Sequence, residues 1–407
     1  MVEVASEFRK CDRTRLMILV PTMALGGVER CTELLLRHFR RELFELHLVT
    51  IFDHELFYKV PSDVNLHVLE RYVKPQITSH FEDLPSHIKA RYYDELVWLE
   101  ATASRLDMLI RKVQPNVVLA QDYFASAIAL LTKKYLSKGL KVIASAHNEF
   151  SKSLQVDKHR DLHAALIQHC FNEANGIIAI SQGAAEDLTS CFGVRPDMIT
   201  VINGPIDLEE IENLAKEPVM ETNWFSEEVP IVLFLGRITP QKGLVYLLQA
   251  TALARKLQKF RCVIIGDGEQ RKELELLARK LDIAEDVLFL KIQDNPYKFL
   301  CRATCFVLPS VFDGMPCVIQ EAMACGCPVI ATDCASGVRE LLGEGRRGVL
   351  VPPKAPHAMV DAILEVIRKS KLRQELIQTG LRYVKQFATE RIVGQYEDFV
   401  NTCASVR

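Results

Sequence analysis

The chain has 407 residues, 49% of them hydrophobic and 25% charged, and a formal net charge of −2. This length allows two domains with full cores. The near balance of charge gives no reason to expect a nucleic-acid partner, and no apolar run suits a signal peptide or a membrane-spanning helix. We therefore expect a protein of the cytoplasm.

The twelve cysteines could suggest disulfides or a metal site. Cys262, Cys305 and Cys327 lie in apolar segments, where a thiol serves as a small hydrophobic group. Cys325 and Cys327 have no second pair at the spacing of a zinc finger. We expect reduced thiols and no bound metal.

The chain opens with an apolar strand at residues 15–20, a loop that ends in Gly26 and Gly27, and a helix at residues 28–41. Two glycines at a helix N-terminus let a substrate approach the backbone, and the helix end favours a phosphate. A tight turn without a ligand is the alternative. The full G-x-G-x-x-G fingerprint is absent, which disfavours a nicotinamide dehydrogenase.

Alternating strands and helices follow, which predict a parallel, doubly wound sheet. The predicted strands are residues 44–51, 117–120, 142–146 and 176–180. Residues 83–113 are predicted to form a helical excursion over a cleft. His147 directly follows one strand; a histidine in this position is commonly a hydrogen-bonded loop residue, and a substrate contact is the second interpretation.

A second alternating set begins with the strand at residues 231–235, after an acidic segment at 209–228 that we interpret as a linker. Gly236 and Arg237 end this strand, and Lys242 follows five positions later before a helix. Arginine can grip a diphosphate through two parallel hydrogen bonds, and lysine acts as a point charge. Two unrelated surface cations are the alternative interpretation.

Residues 309–333 read as a strand end, a turn, a helix and a buried strand. Gly314 and Pro316 supply the turn chemistry. Asp313 lies just before the helix, and Glu321 lies within it, eight positions later. Loops at the carboxyl ends of parallel strands line ligand sites, and backbone N–H groups of the turn suit an anion or a sugar hydroxyl. Two solvated acids are the alternative.

These motifs resemble those of retaining GT-B glycosyltransferases of family four, with their Glu-x7-Glu motif, G-R-x4-K-G clamp and GG-x-E-R segment. One departure is that Asp313 replaces the first glutamate. The resemblance implies an α/β fold with two Rossmann-like, doubly wound domains facing across a cleft and a last helix crossing back to the first domain. The expected segments are an acceptor-side domain at 1–207, a linker at 208–228, a donor-side domain at 229–386 and a returning helix at 387–407.

The resemblance also implies a function: transfer of a sugar from a UDP- or GDP-sugar to a glycan or lipid-linked acceptor, with retention and without a metal or organic cofactor. Such a reaction belongs to polysaccharide or glycolipid biosynthesis. Arg237 and Lys242 would hold the diphosphate, Glu321 the ribose, and Asp313 the sugar hydroxyls, with His147 near the donor sugar. The other binding residues implied are Gly26, Gly27, Gly236, Gly314, Met315 and Pro316.

Three alternatives remain open. One is an epimerase of the same fold, and another is a phosphorylase, for which we find no pyridoxal-phosphate lysine or phosphate site. The third is a non-catalytic sugar-nucleotide-binding subunit, which only the substitution at position 313 supports.

The helix predicted at residues 28–41 bears on membrane contact. It carries four arginines: Arg30, Arg37, Arg40 and Arg41. Cations beside apolar residues favour peripheral contact with an anionic leaflet. A Rossmann helix with a solvated outer face explains them equally well.

Overall fold

A computed structural model describes residues 13–71 and 84–405 of the protein. The chain divides into two compact units. The first takes the described residues within Met1–Ile180, Ala185–Ile202 and Ile392–Arg407, and the second takes Ser181–Ala184 and Asn203–Arg391.

The first unit contains a seven-stranded parallel sheet. Its strands are β1 (Thr14–Val20), β2 (Phe44–Thr50), β3 (Asn65–Val68), β4 (Val117–Ala120), β5 (Val142–Ala146), β6 (Gly176–Ala179) and β7 (Ile199–Val201). Their order is β3-β2-β1-β4-β5-β6-β7, with β1 in register from Thr14 against Phe44 to Val20 against Thr50. This is the order of a Rossmann sheet with one added edge strand.

Helices connect these strands. They are α1 (Gly27–His38), α2 (Ser86–Arg91), α3 (Tyr93–Val113), α4 (Tyr123–Tyr135), α5 (Phe150–Ser153), α6 (Arg160–Cys170) and α7 (Gln182–Phe192). Buried strands covered on both faces need apolar residues at every position, which explains the continuous run in β1.

The core of the first unit has two layers, one on each face of the sheet. Successive side chains of a strand point to opposite faces. Met17 and Leu19 accordingly join the cluster formed with α3 and α4. Leu16 and Ile18 join the opposite cluster, which also contains apolar residues of α1 and of the last helix of the chain.

The second unit contains a six-stranded parallel sheet. Its strands are β8 (Ile231–Leu235), β9 (Arg261–Ile265), β10 (Val287–Leu290), β11 (Cys305–Leu308), β12 (Val329–Thr332) and β13 (Val349–Val351). The order β10-β9-β8-β11-β12-β13 repeats the Rossmann order of the first sheet. The expected pair of Rossmann-like sheets is therefore confirmed.

Further helices follow β7, and all but the last of them belong to the second unit. They are α8 (Leu208–Ala215), α9 (Leu244–Ala254), α10 (Arg271–Lys280), α11 (Tyr297–Leu300), α12 (Cys317–Ala324), α13 (Ser336–Leu342), α14 (Pro356–Arg368), α15 (Ser370–Val384) and α16 (Thr389–Ser405).

The last helix, α16, returns to the first unit, where Ile392–Arg407 belong. Buried Glu397 accepts hydrogen bonds from the backbone N–H of Arg40 at 2.7 Å and from its guanidinium at 2.6 Å. Tyr396 packs fully buried beside it in the core. The expectation that the C-terminal helix crosses back is confirmed.

Several predicted elements differ in detail. The acidic segment interpreted as a linker contains helix α8, because Asp207 caps it by accepting from the N–H of Glu210 and Ile211 buries its apolar side. The helix predicted at 28–41 ends at His38. The segment predicted at 83–113 is two helices separated at Tyr92, and its first residue lies outside the described part.

Two short strands, β3 and β7, were not predicted. Both lie at sheet edges, and their exposed residues break the apolar pattern on which the prediction relied. Leu66 of β3 and Val201 of β7 are among the exposed large hydrophobic residues. Edge strands of this kind give a weaker sequence signal than central ones.

Candidate functional site

The order of the second sheet places a switch point between β8 and β11, whose connections leave in opposite directions. Ligands of open parallel sheets bind beyond the carboxyl ends of strands at such a point. The loop after β8 meets the loop after β11: the N–H of Val311 donates to the carbonyl of Gln241 at 2.8 Å, and the Gln241 amide donates to Phe312 O at 3.1 Å.

A glycine makes this close approach possible. Gly243 has φ of +64°, and a Cβ built there would lie 2.2 Å from the carbonyl oxygen of Pro309. A side chain would therefore be strained in its backbone and would collide with the neighbouring loop. Glycine at position 243 lets the two loops pack together just before helix α9 begins.

The centre of the site is an ion pair between the two loops. Lys242 Nζ lies 2.6 Å from Asp313 Oδ2, and both side chains are only 12% exposed. Ser310 Oγ donates to the same carboxylate oxygen at 3.0 Å, and the N–H of Gly314 donates to Oδ1 at 3.1 Å. The structure thus brings together two residues from separate predicted motifs, and it holds the carboxylate by three donors.

Arg237, the other predicted cation, follows β8 and is exposed. It forms no ion pair with a residue in the described ranges. Its neighbour Gly236 donates its N–H to Ile265 O at 3.1 Å, which ties the start of the loop to β9. The guanidinium is therefore available to an anionic ligand.

Glu321 lies in α12, as predicted. Its hydrogen-bond donor, Tyr297, is not one of the groups that hold Asp313. The hydroxyl of Tyr297 donates to Glu321 Oε1 at 3.3 Å, and Tyr297 itself is buried at the start of α11. Asn295 Oδ1 accepts from the N–H of Tyr297 at 3.1 Å. The two predicted carboxylates are thus held by separate donors. The sequence did not indicate that Tyr297 contacts Glu321.

The rest of the predicted turn is partly buried. Met315 is 8% exposed, and its sulfur accepts a hydrogen bond from the side-chain amide of Asn203 at 3.3 Å. Pro316 precedes the first residue of α12, one position from the predicted helix start.

In the first unit the corresponding switch point lies between β1 and β4. Gly26 caps α1 with extended backbone, and its carbonyl accepts from the N–H of Arg30 at 3.0 Å and from the Tyr58 hydroxyl at 3.3 Å. Gly27 is the first residue of the helix. The predicted glycine loop therefore lies at the carboxyl edge of the sheet.

His147 follows β5 at the same edge. Its Nε2 lies 2.6 Å from Gln121 Oε1, and Gln121 is fully buried after β4. An amide oxygen only accepts, so Nε2 carries the proton and Nδ1 is the acceptor nitrogen. Burial lowers the pKa of His147 to about 4, so the imidazole is neutral at pH 7.

Asp122 directly follows Gln121, the hydrogen-bond partner of His147, and it was not predicted as a site residue. Its φ is +78°, its carboxylate accepts from the N–H of Tyr123 at 2.6 Å, and its own N–H donates to Ser145 Oγ at 3.2 Å. The pKa of Asp122 is raised to about 6, mainly by burial and also by the charge of Glu29, while the hydrogen bond from the N–H of Tyr123 opposes the shift. Its place after a central strand was the available signal, but an Asp before a helix is commonly only a cap.

One thiol, that of Cys334, lies near the ion pair. Burial raises the pKa of Cys334, near the ion pair, to about 11, which keeps this thiol protonated. The eleven cysteines of the described residues form no disulfide bonds with one another. Within residues 13–71 and 84–405, no group of three His, Cys, Asp or Glu side chains is placed to hold a metal.

The four arginines considered for membrane contact all have carboxylate partners. The pairs are Arg30–Glu33 at 2.7 Å, Arg37–Glu33 at 3.6 Å, Arg40–Glu397 at 2.6 Å, and Arg41–Asp63. Their positive charge is therefore largely balanced locally. Among the helices of the described ranges, none has the length and apolar character of a membrane span.

Two family patterns match the sequence. Residues 25–210 match Glycosyltransferase Family 4, and residues 216–382 match Glycosyl transferases group 1. The first match contains β2 to β7, and the second contains β8 to β13.

Similar proteins are known from bacteria. The chain is 29% identical to the N-acetylgalactosamine-N,N'-diacetylbacillosaminyl-diphospho-undecaprenol 4-alpha-N-acetylgalactosaminyltransferase of Campylobacter jejuni, over 93% of this chain and 97% of that one. It is 26% identical to the lipopolysaccharide 1,6-galactosyltransferase of Salmonella typhimurium, over 63% and 67%.

Among solved structures, HepE of Anabaena in complex with UDP and glucose superposes with a TM-score of 0.75 at 18% identity. The superposition covers 97% of this chain and all of HepE, which shows a shared fold. With both sheets, both family patterns and this fold in agreement, the chain belongs to the GT-B glycosyltransferases of the family 4 type.

Proposed function

We propose that this glycosyltransferase moves a hexosyl group from a UDP- or GDP-sugar to a hydroxyl of a glycan or lipid-linked acceptor, with retention of anomeric configuration. The observation that carries the proposal is the ion pair of Lys242 with Asp313 at the switch point of the second sheet. It unites a cation suited to a diphosphate with a carboxylate suited to sugar hydroxyls.

In this proposal, different residues of the second unit bind different parts of the donor. Arg237, exposed at the end of β8, grips the diphosphate in a bidentate manner, and Lys242 adds a point charge. Asp313 accepts from the sugar hydroxyls, and Glu321 accepts from the ribose. Gly236 and the turn at Gly314, Met315 and Pro316 line the same edge of the sheet.

The reaction breaks the bond between the anomeric carbon and the diphosphate oxygen, which keeps the electron pair. The acceptor oxygen forms the new bond on the same face, and its proton passes to the departing diphosphate. Arg237 and Lys242 stabilise the charge that develops on the leaving group. Asp313 and Glu321 therefore serve in binding, and not as the acid and base of a glycosidase.

In the first unit we assign substrate contact to His147 and to the loop of Gly26 and Gly27. A neutral imidazole can accept a hydrogen bond from a sugar hydroxyl through Nδ1, because Nε2 is engaged by Gln121. The low pKa of His147 supports this role, since a protonated ring would have no acceptor atom.

The relatives support the choice of substrates. The Campylobacter enzyme is named for a diphospho-undecaprenol acceptor and the Salmonella enzyme for lipopolysaccharide. HepE was solved with UDP and glucose and with UDP-glucose. We therefore favour a UDP-sugar donor and a lipid-linked glycan acceptor, in polysaccharide or glycolipid biosynthesis.

The first test is a thermal-shift panel of nucleotide sugars followed by transfer of labelled sugar to lipid-linked acceptors. A donor at 100 times its Kd stabilises the folded state by about 2.7 kcal/mol. Donor binding without transfer to any acceptor would favour the non-catalytic subunit, and conversion of the sugar without transfer would favour an epimerase.

Replacing Arg237 or Lys242 with alanine should lower kcat by about 10²–10³ and cost transition-state stabilisation more than fold stability, because each removes a donor to the developing charge. Steady-state kinetics at saturating donor measure the effect. Lys256→Ala, which removes an exposed lysine of the same unit, is the matched control and should keep full activity. Normal turnover in both clamp variants would rule out this role.

Asp313→Ala should abolish most turnover and leave the fold intact, while Asp313→Glu should stay active with an altered sugar preference. Aspartate reaches about 1.5 Å less far than glutamate, so position 313 sets how the donor sugar is held. Kinetics against a panel of donors, with Asp361→Ala on α14 as control, provide the measurement. Parental turnover by Asp313→Ala on its best donor would show that this carboxylate does not bind the sugar.

Transfer should proceed without a divalent metal in the chemical step. The clamp places two positive charges where other transferases use carboxylate-bound Mg²⁺ or Mn²⁺, and the sequence contains no Asp-x-Asp pair. Initial rates are measured with and without EDTA on a soluble acceptor analogue. Activity lost in EDTA and restored by one particular metal would contradict this prediction.

We also propose peripheral membrane contact in the cytoplasm, since a lipid-linked acceptor lies at a bilayer. Each cation near an anionic leaflet contributes about 1 kcal/mol, and the four arginines between positions 30 and 41 would act through the positive charge that their carboxylate partners do not neutralise. Flotation with anionic and neutral liposomes at low salt should recover the protein only with anionic ones. Recovery with neither would reject the proposal.

A further inference from the structure

One cavity of the second unit is lined by none of the residues assigned above. Its volume is about 400 Å³, and we call it the arginine pocket. It is lined by Arg346, Arg347, Thr379, Arg382, Tyr383 and Gln386. These residues come from the loop between α13 and β13 and from the end of α15 with the turn that follows it.

The charge of this pocket is uncompensated. Within the described ranges, no carboxylate pairs with Arg346, Arg347 or Arg382 within 4.0 Å. Glu340 lies nearby in sequence, but its carboxylate accepts from the backbone N–H groups of Gln182 at 3.2 Å and Gly183 at 2.9 Å. Three guanidinium groups therefore share one concave surface with no carboxylate among its lining residues.

Arg347 is fixed in place before any ligand arrives. Its Nε donates to Leu341 O at 2.8 Å and its Nη2 to Glu340 O at 2.5 Å. The guanidinium carbon lies 3.4 Å from the ring centroid of Tyr383. This leaves Nη1 for a ligand, and the rigid placement reduces the entropy lost on binding.

The turn beside Arg347 fits this arrangement. Gly343 has φ of +57°, and a Cβ there would lie 2.6 Å from the guanidinium carbon. Burial lowers the pKa of Arg347, and the charge of Arg346 lowers it further, while Tyr383 opposes the shift. Two like charges held close together in a half-buried site gain the most from an anion.

We propose that the arginine pocket binds the phosphate group of a small phosphorylated molecule. Guanidinium groups match phosphate oxygens in a bidentate manner, which favours phosphate over an ion without directional acceptors. The volume is that of a small-molecule site, so a phosphorylated metabolite fits better than an extended polymer. The headgroup of a phospholipid offers the same chemistry from a different source.

The test uses the double variant Arg346→Ala/Arg382→Ala. Both arginines are exposed, and within the described residues their side chains form no hydrogen bond or ion pair. The matched control is Arg279→Ala/Lys280→Ala, which removes two exposed cations at the end of α10. Calorimetric titration at low ionic strength with inorganic phosphate and with glucose 1-phosphate gives affinity and stoichiometry.

We expect the pocket variant to lose at least about tenfold in affinity, as for a charged hydrogen bond removed. The control should bind like the parent. The variant Arg237→Ala/Lys242→Ala should also keep this binding, which separates the arginine pocket from the proposed donor site and makes the two proposals fail independently.

A second arm identifies the source of the phosphate. Sedimentation with phosphatidic acid vesicles, compared with phosphatidylcholine vesicles, reports a lipid headgroup. Dependence on Arg346 and Arg382 in this arm alone would assign the pocket to a phospholipid, and dependence in the soluble arm would assign it to a metabolite. Equal binding by parent and pocket variant in both arms, or an equal loss in the Arg279/Lys280 control, would overturn the proposal.

Discussion

The ion pair between Lys242 and Asp313 is the interaction on which the second unit's candidate site depends. It spans two loops that are some seventy positions apart in sequence, and it can form only because β8 and β11 are neighbours in the sheet. Gly243 then allows the loops to approach. In a partly buried pair of this kind, each charge compensates the other until a ligand binds to one of them.

The two units share one strand order but differ in the charged groups at the carboxyl ends of their strands. In the second unit the loop after β8 carries two cations, exposed Arg237 and the paired Lys242. In the first unit burial lowers the pKa of His147 to about 4, so this imidazole is neutral at pH 7. A neutral imidazole suits sugar hydroxyls, while a cationic loop suits a diphosphate. The same fold can therefore serve both kinds of binding group.

The four arginines between positions 30 and 41 show how context changes the meaning of a charge pattern. As a sequence they resemble a basic face, but Arg40 pairs with Glu397 of α16, more than three hundred positions away. The guanidinium groups of the arginine pocket give the opposite case, because no carboxylate of the described residues forms an ion pair with them. Whether a cation is available to a ligand is thus decided by what packs against it.

The sequence by itself determined the central strands, the two Rossmann-like sheets and the placement of Asp313 and Glu321 around a helix start, because these depend on local periodicity and turn chemistry. It also determined that Arg237 and Lys242 flank one loop. Only the tertiary structure decided that Lys242 contacts Asp313 and that Gln121 sets the tautomer of His147. It also decided that residues 208–215 form a helix. Such contacts join distant parts of the chain, and burial and strand order, which set them, are properties of the packed fold.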